Sequence, residues 1–142
     1  MLTKALVFIQ FTTLLIIVLL SDTSLFSRPA SMFVLVLSLI IGLIPILQKN
    51  LKVSIFPETT KDMKLITNGI YKFIRHPMYL SVLLVGLAFV IADPKPIMFL
   101  VWLILLANLH LKMDIEEINL MKTFDNYKDY RKTTKRLIPF IY

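Results

Sequence analysis

Arg75, His76 and Pro77 stand together just before an apolar run that opens at Met78, with Tyr79 one step further on. Farther along, His110, Lys112 and the pair Glu116-Glu117 close a second apolar run. Two cationic groups beside two carboxylates can grip a small zwitterion, the cations taking its carboxylate and the carboxylates its ammonium. The same residues also suit a plainer role as interfacial ion pairs, worth roughly 0–1 kcal/mol if exposed. His110, Asp114 and Glu117 recur at i, i+4 and i+7, which puts them on one helix face. Glu117, His110 and Lys112 are the candidates for catalytic work, with Glu117 or His110 able to take a proton from a bound amine.

The elements that must position these residues are apolar. The chain has 142 residues, of which 57% are hydrophobic, above the roughly 45–50% usual in soluble domains. The excess is gathered into four blocks, 5–20, 30–47, 79–92 and 97–111. The first two are uncharged and about as long as a bilayer span. So small a chain has no soluble shell in which to bury four such segments. The fold class expected is therefore an all-α integral membrane protein with about four transmembrane helices. Lys4 before the first block resembles a secretory signal, but no small-residue cleavage pattern follows, so a retained first span is expected.

Pro77 suits the first position of a helix and pushes His76 out of helical geometry. From Pro77 to Ala92 is roughly 24 Å of helix, short of the roughly 30 Å of a hydrocarbon core. "DPKP" at 93–96 turns the chain, and Pro96 can start the next helix. These last two helices form a tight hairpin that sets the Arg75-His76 entry beside the Glu116-Glu117 exit. No glycine or proline interrupts the chain after "LHLK", so the second helix should run on to about Phe124 and lead into a cytoplasmic helical tail. Residues 1–56 are expected to form an N-terminal helix pair, and 57–142 a second unit that carries both polar clusters. The connection from Gln48 to Ile74 reads as polar loop and turn.

The net charge of +7 follows topology. With both termini inside, fourteen of the sixteen Lys and Arg residues lie on the cytoplasmic side. That distribution explains the basic charge without nucleic acid. There is no cysteine, and the two histidines are far apart in the chain, so no metal site is expected.

"NGIYKFIRHPMYLS" and "EEINLMKTFDNYKDYRKTTKRLIPF" together resemble the isoprenylcysteine carboxyl methyltransferase family, allied to the membrane phospholipid methyltransferases. The resemblance covers about residues 57–141 and rests on Gly69, Tyr71, Arg75, His76, Pro77, Tyr79, Glu116, Glu117, Leu120, Phe124, Tyr127, Tyr130 and Pro139. Asp125 departs from the glycine usual after the phenylalanine, and His110 and Lys112 stand where eukaryotic relatives carry arginines.

What the resemblance implies is S-adenosylmethionine as cofactor, with Gly69, Tyr71, Arg75, His76, Pro77, Tyr79, Glu116 and Glu117 as its contacts. The acceptor would be a lipophilic or lipid-modified molecule from the bilayer, first a carboxylate and second a phospholipid amine. The only glycines are Gly42, Gly69 and Gly86, so no glycine-rich phosphate loop is available for the cofactor. Localisation would be multi-pass, in the inner membrane if the source is prokaryotic. An NADPH-dependent enzyme akin to sterol reductases and a non-enzymatic membrane scaffold remain as rival classes, and nothing in the chain indicates its oligomeric state.

Overall fold

The structure, a computed structural model, describes residues 2–22, 25–48 and 65–142. Most of the connection expected between Gln48 and Ile74, and the boundary at 56/57, lie outside the described residues. Five α-helices follow in order: α1 (Leu2–Leu20), α2 (Pro29–Gln48), α3 (Pro77–Ala92), α4 (Pro96–Thr123) and α5 (Tyr127–Thr133). Short 3₁₀ turns occupy Leu25–Ser27 and Gly69–Lys72. Among the described residues the one departure from helix and loop is an isolated parallel bridge between Ile74 and Lys135.

Prolines set the hairpin. Pro77 and Pro96 each occupy the first helical turn, where a missing N–H costs nothing. The preceding residues, His76 and Lys95, sit at φ −123°, ψ 57° and φ −84°, ψ 142°, outside helical geometry. Helix α4 runs well past its apolar part and ends where Phe124 turns extended, at φ −126° and ψ 115°. Tyr127 therefore starts a separate short helix.

Helices α1, α2 and α4 are long and apolar enough to cross a membrane, while α3 has 16 residues. The α3–α4 hairpin is central, with α2 packed mainly on α3 and α1 mainly on α4. Small residues allow the close crossings. A Cβ at Gly86 of α3 would lie 3.0 Å from Trp102 Cδ1, 3.3 Å from Leu105 Cδ2 and 3.5 Å from Ile17 Cδ1, so three helices meet there. At Gly42 of α2 a Cβ would lie 2.5 Å from Ser81 Oγ, and that hydroxyl donates to the Ser38 carbonyl at 2.8 Å. Trp102 donates its indole N–H to the Leu83 carbonyl at 2.9 Å, a helix-packing role.

The core is built from Ile17, Leu83, Met98, Leu105, Leu109 and Met113 among others. Outside it, large apolar side chains point away from the bundle: Phe8, Leu19 and Phe33 are 70% or more exposed. Such a surface suits hydrocarbon better than water. At the far end from Arg75, Lys95 Nζ bridges Asp22 and Asp93, the latter at 2.9 Å, and donates to the Leu20 carbonyl at 3.1 Å. This ties the end of α1 to the hairpin turn.

Candidate functional site

The hairpin sets the two sequence clusters side by side. Arg75 Nε lies 2.9 Å from Glu117 Oε1, and His76 Nε2 lies 3.2 Å from the same oxygen. His76 Nδ1 faces Glu116 Oε2 at 3.5 Å. His76 and Glu117 are almost wholly buried, whereas the Glu116 side chain keeps 29% of its surface exposed. Burial alone would lower the His76 pKa, but hydrogen bonds to Glu116 and Glu117 outweigh it and raise the pKa above the ordinary histidine value. Both carboxylates thus stabilise the imidazolium.

The tail completes the cluster, and sequence reasoning missed its part. After α5 the chain returns alongside residues 73–76. Lys135 N–H donates to the Phe73 carbonyl at 3.1 Å, Arg75 N–H to the Lys135 carbonyl at 2.8 Å, and His76 N–H to the Arg136 carbonyl at 3.0 Å. This pairing delivers Arg136 Nη2 to Glu117 Oε2 at 3.2 Å and to Asp114 Oδ1 at 2.7 Å. Arg131 Nε reaches Glu117 Oε2 at 3.5 Å. Arg75 Nη1 donates to the Thr134 carbonyl and, at 3.3 Å, to the Arg131 carbonyl. Glu117 is therefore caged by three arginines and a histidine. The basic, aromatic sequence "YRKTTKRLIPF" carried a signal for an interfacial tail but none for these partners.

Tyr79 stacks on His76, with ring centroids 5.5 Å apart, and so joins the cluster. Lys112 Nζ lies over the Tyr79 ring, 5.2 Å from its centroid, and donates to Gln10 Oε1 of α1 at 2.6 Å. The neighbouring Asn108 donates to the Leu6 carbonyl at 3.0 Å. Gln10 was overlooked; a long polar side chain in an uncharged span was its signal. His110 is set apart from Glu116. It stacks on Tyr142, lies 3.9 Å from Asp114 and 3.5 Å from Arg136, and is 44% exposed.

Gly69 and Tyr71 lie beneath the cluster in the 3₁₀ turn. Gly69 has φ +58°, and the Gln48 side chain fills the space a Cβ would need. Tyr71 is buried, and its carbonyl accepts from the Tyr130 hydroxyl at 2.6 Å. Tyr127 is fully buried, and its hydroxyl has no hydrogen-bond partner among the described residues. On the outer side of the cage, Arg75, Arg131, Thr134, Lys135, Arg136, Ile141 and Tyr142 line an open cleft of about 260 Å³.

Among the described residues, three long apolar helices and a caged carboxylate at the mouth of a helical hairpin mark a membrane-associated class of protein. The model of the phospholipid methyltransferase family matches residues 30–127, and the chain belongs to that family. No curated protein matches the chain. The family match starts within α2 and stops at the start of α5, so α1 and the tail cations lie outside it.

Proposed function

We propose that the chain is an integral membrane methyltransferase that uses S-adenosylmethionine and methylates an aminophospholipid at the cytoplasmic face, with both termini on that side. The observation that carries this reading is Glu116: a partly exposed carboxylate beside His76, at the mouth of the apolar hairpin. Family membership supports methyl transfer to a lipid-like acceptor. A carboxylate acceptor, first choice from sequence, would need no base and would leave Glu116 without work on the acceptor.

The residues fit an S-adenosylmethionine molecule on three counts. Glu116 offers a carboxylate to a cationic centre, Arg75 offers a guanidinium to a carboxylate, and the orphaned Tyr127 hydroxyl offers a hydrogen bond to a polar group. When bound, the cofactor supplies a methyl carbon activated by its sulfonium. The chain's own residues orient and deprotonate. Glu116 takes the proton from the acceptor ammonium, which leaves a neutral amine with a free lone pair. His76 holds Glu116 in place and steadies its charge in the meantime. Glu117 keeps Arg75 and His76 in register, and positioning of this kind contributes roughly 7–11 kcal/mol to such a reaction.

Calorimetric titration of S-adenosylhomocysteine into the detergent-purified chain tests the donor site. Micromolar binding that weakens about tenfold in Glu116→Gln with folding retained supports the reading. Binding of NADPH in place of S-adenosylhomocysteine would sink it in favour of a reductase, and binding of neither would leave a scaffold. Transfer of labelled methyl to phosphatidylethanolamine and not to a prenylcysteine separates amine from carboxylate chemistry.

A further inference from the structure

The cleft outside the cage carries more positive charge than the donor's single carboxylate would use. Four cations line it, Arg75, Arg131, Lys135 and Arg136. The carboxylates that reach them among the described residues are Glu117 and Asp114, so the wall keeps a positive surplus. Two of the four hold donors in reserve. Arg131 Nη1 touches only the Met121 sulfur, at 3.7 Å, a weak acceptor. Lys135 is exposed and forms no ion pair among the described residues, although its backbone is pinned to Phe73 and Arg75. The donor's one carboxylate, matched to Arg75 above, leaves the spare donors of Arg131 and Lys135 for a second anion.

The geometry points to a phosphate-binding subsite in this cleft, with Arg131 and Lys135 as the principal donors and Arg136 as its fixed wall. Guanidinium forks and an ammonium are matched to a tetrahedral oxyanion, and they bind it with charge-assisted hydrogen bonds. Depth favours a lipid as the source of the phosphate. The cleft opens beside Arg75, two residues before the apolar helix α3 begins, which is headgroup level in a bilayer-spanning chain. Its rim continues into Ile138, Phe140 and Ile141, all exposed apolar side chains that suit the acyl region.

The subsite rests on the proposed reaction for its purpose. A phosphodiester held at Arg131 and Lys135 would anchor an acceptor whose attached amine is the group to be methylated. It would also favour acceptors that carry phosphate next to the amine over neutral lipophilic amines. None of the subsite's tail residues lies within the family match.

The test uses the full chain in detergent and three probes: inorganic phosphate, dihexanoyl phosphatidylethanolamine, and a short-chain diacylglycerol without phosphate. The phosphate-bearing lipid should bind saturably, the diacylglycerol should not, and Lys135→Glu should weaken the lipid at least about tenfold. S-adenosylhomocysteine should bind Lys135→Glu within about threefold of wild type, since that side chain touches neither Glu116 nor Glu117. Inorganic phosphate matching the lipid in affinity would uphold the subsite and assign it to free phosphate. Equal lipid binding by wild type and Lys135→Glu would overturn it. Loss of the donor analogue to the same extent as the lipid would overturn it too, because the cations would then serve the donor. Lipid binding without any S-adenosylhomocysteine binding would uphold the subsite and sink the methyltransferase reading.

Discussion

Arg75 and Glu117, 42 residues apart in the chain, form a 2.9 Å ion pair whose side chains are only 7% and 2% exposed. Buried pairs of this kind contribute little net stability relative to apolar residues, but removing one partner leaves the other charge stranded. Here the stranded group would be a cluster of cations, because Arg131, Arg136 and His76 share the same carboxylate.

Glu117→Gln should therefore lower stability by about 3 kcal/mol, read as a drop in the thermal unfolding midpoint in detergent. Arg75→Lys should also destabilise, since an ammonium cannot serve Glu117 and the Thr134 and Arg131 carbonyls from one planar fork. A midpoint unchanged in both variants would mean that the cage is not formed.

The pH dependence follows from His76. Its folded pKa is raised above the unfolded value of about 6.5, so the folded state binds that proton more tightly. The stabilisation is complete below about pH 6.5 and fades as pH rises through the folded value. Thermal unfolding of wild type and His76→Gln, compared from acid to alkaline pH, should show a gap that narrows as pH rises. A widening gap would contradict the assignment.

Lys112 and Gln10 make a separable unit. Lys112→Met leaves the buried Gln10 Oε1 without its donor and should cost about 1–3 kcal/mol. Gln10→Leu removes the 2.6 Å acceptor and should cost about 1–3 kcal/mol. The double variant should recover most of that loss, as a double-mutant cycle in urea or heat would reveal. Additive losses would show that the two side chains do not act together. If Lys112 also serves catalysis, Lys112→Met will slow methyl transfer while remaining folded.

At Gly86 three helices converge. Gly86→Val would drive methyl groups into Trp102 and Leu105, which already stand 3.0 and 3.3 Å from an added Cβ. Overpacking of that order costs about 1–3 kcal/mol, measurable as a lower unfolding midpoint. The same substitution at exposed Leu19 should have no such effect.

Much of the framework could be read from residue order, because its causes are local. Pro77 and Pro96 start helices through their own ring geometry, so α3 occupies the expected Pro77–Ala92 and α4 the expected start. Apolar runs of bilayer length need no partner to be recognised. The meeting of Arg75 and His76 with Glu116 and Glu117 also followed, since a four-residue turn leaves two antiparallel helices nowhere else to end.

Tertiary structure decided the rest. Arg131 and Arg136 reach Glu117 only because backbone groups of residues 135 and 136 pair with those of 73, 75 and 76, a register that side-chain pattern does not encode. Lys112 turns toward Gln10 and His110 toward Tyr142, although they lie two residues apart on one helix. At 3.6 residues per turn, a two-residue step points side chains to nearly opposite sides. Which side faces α1 and which faces the tail depends on how the helices pack, and that is a property of the assembled bundle.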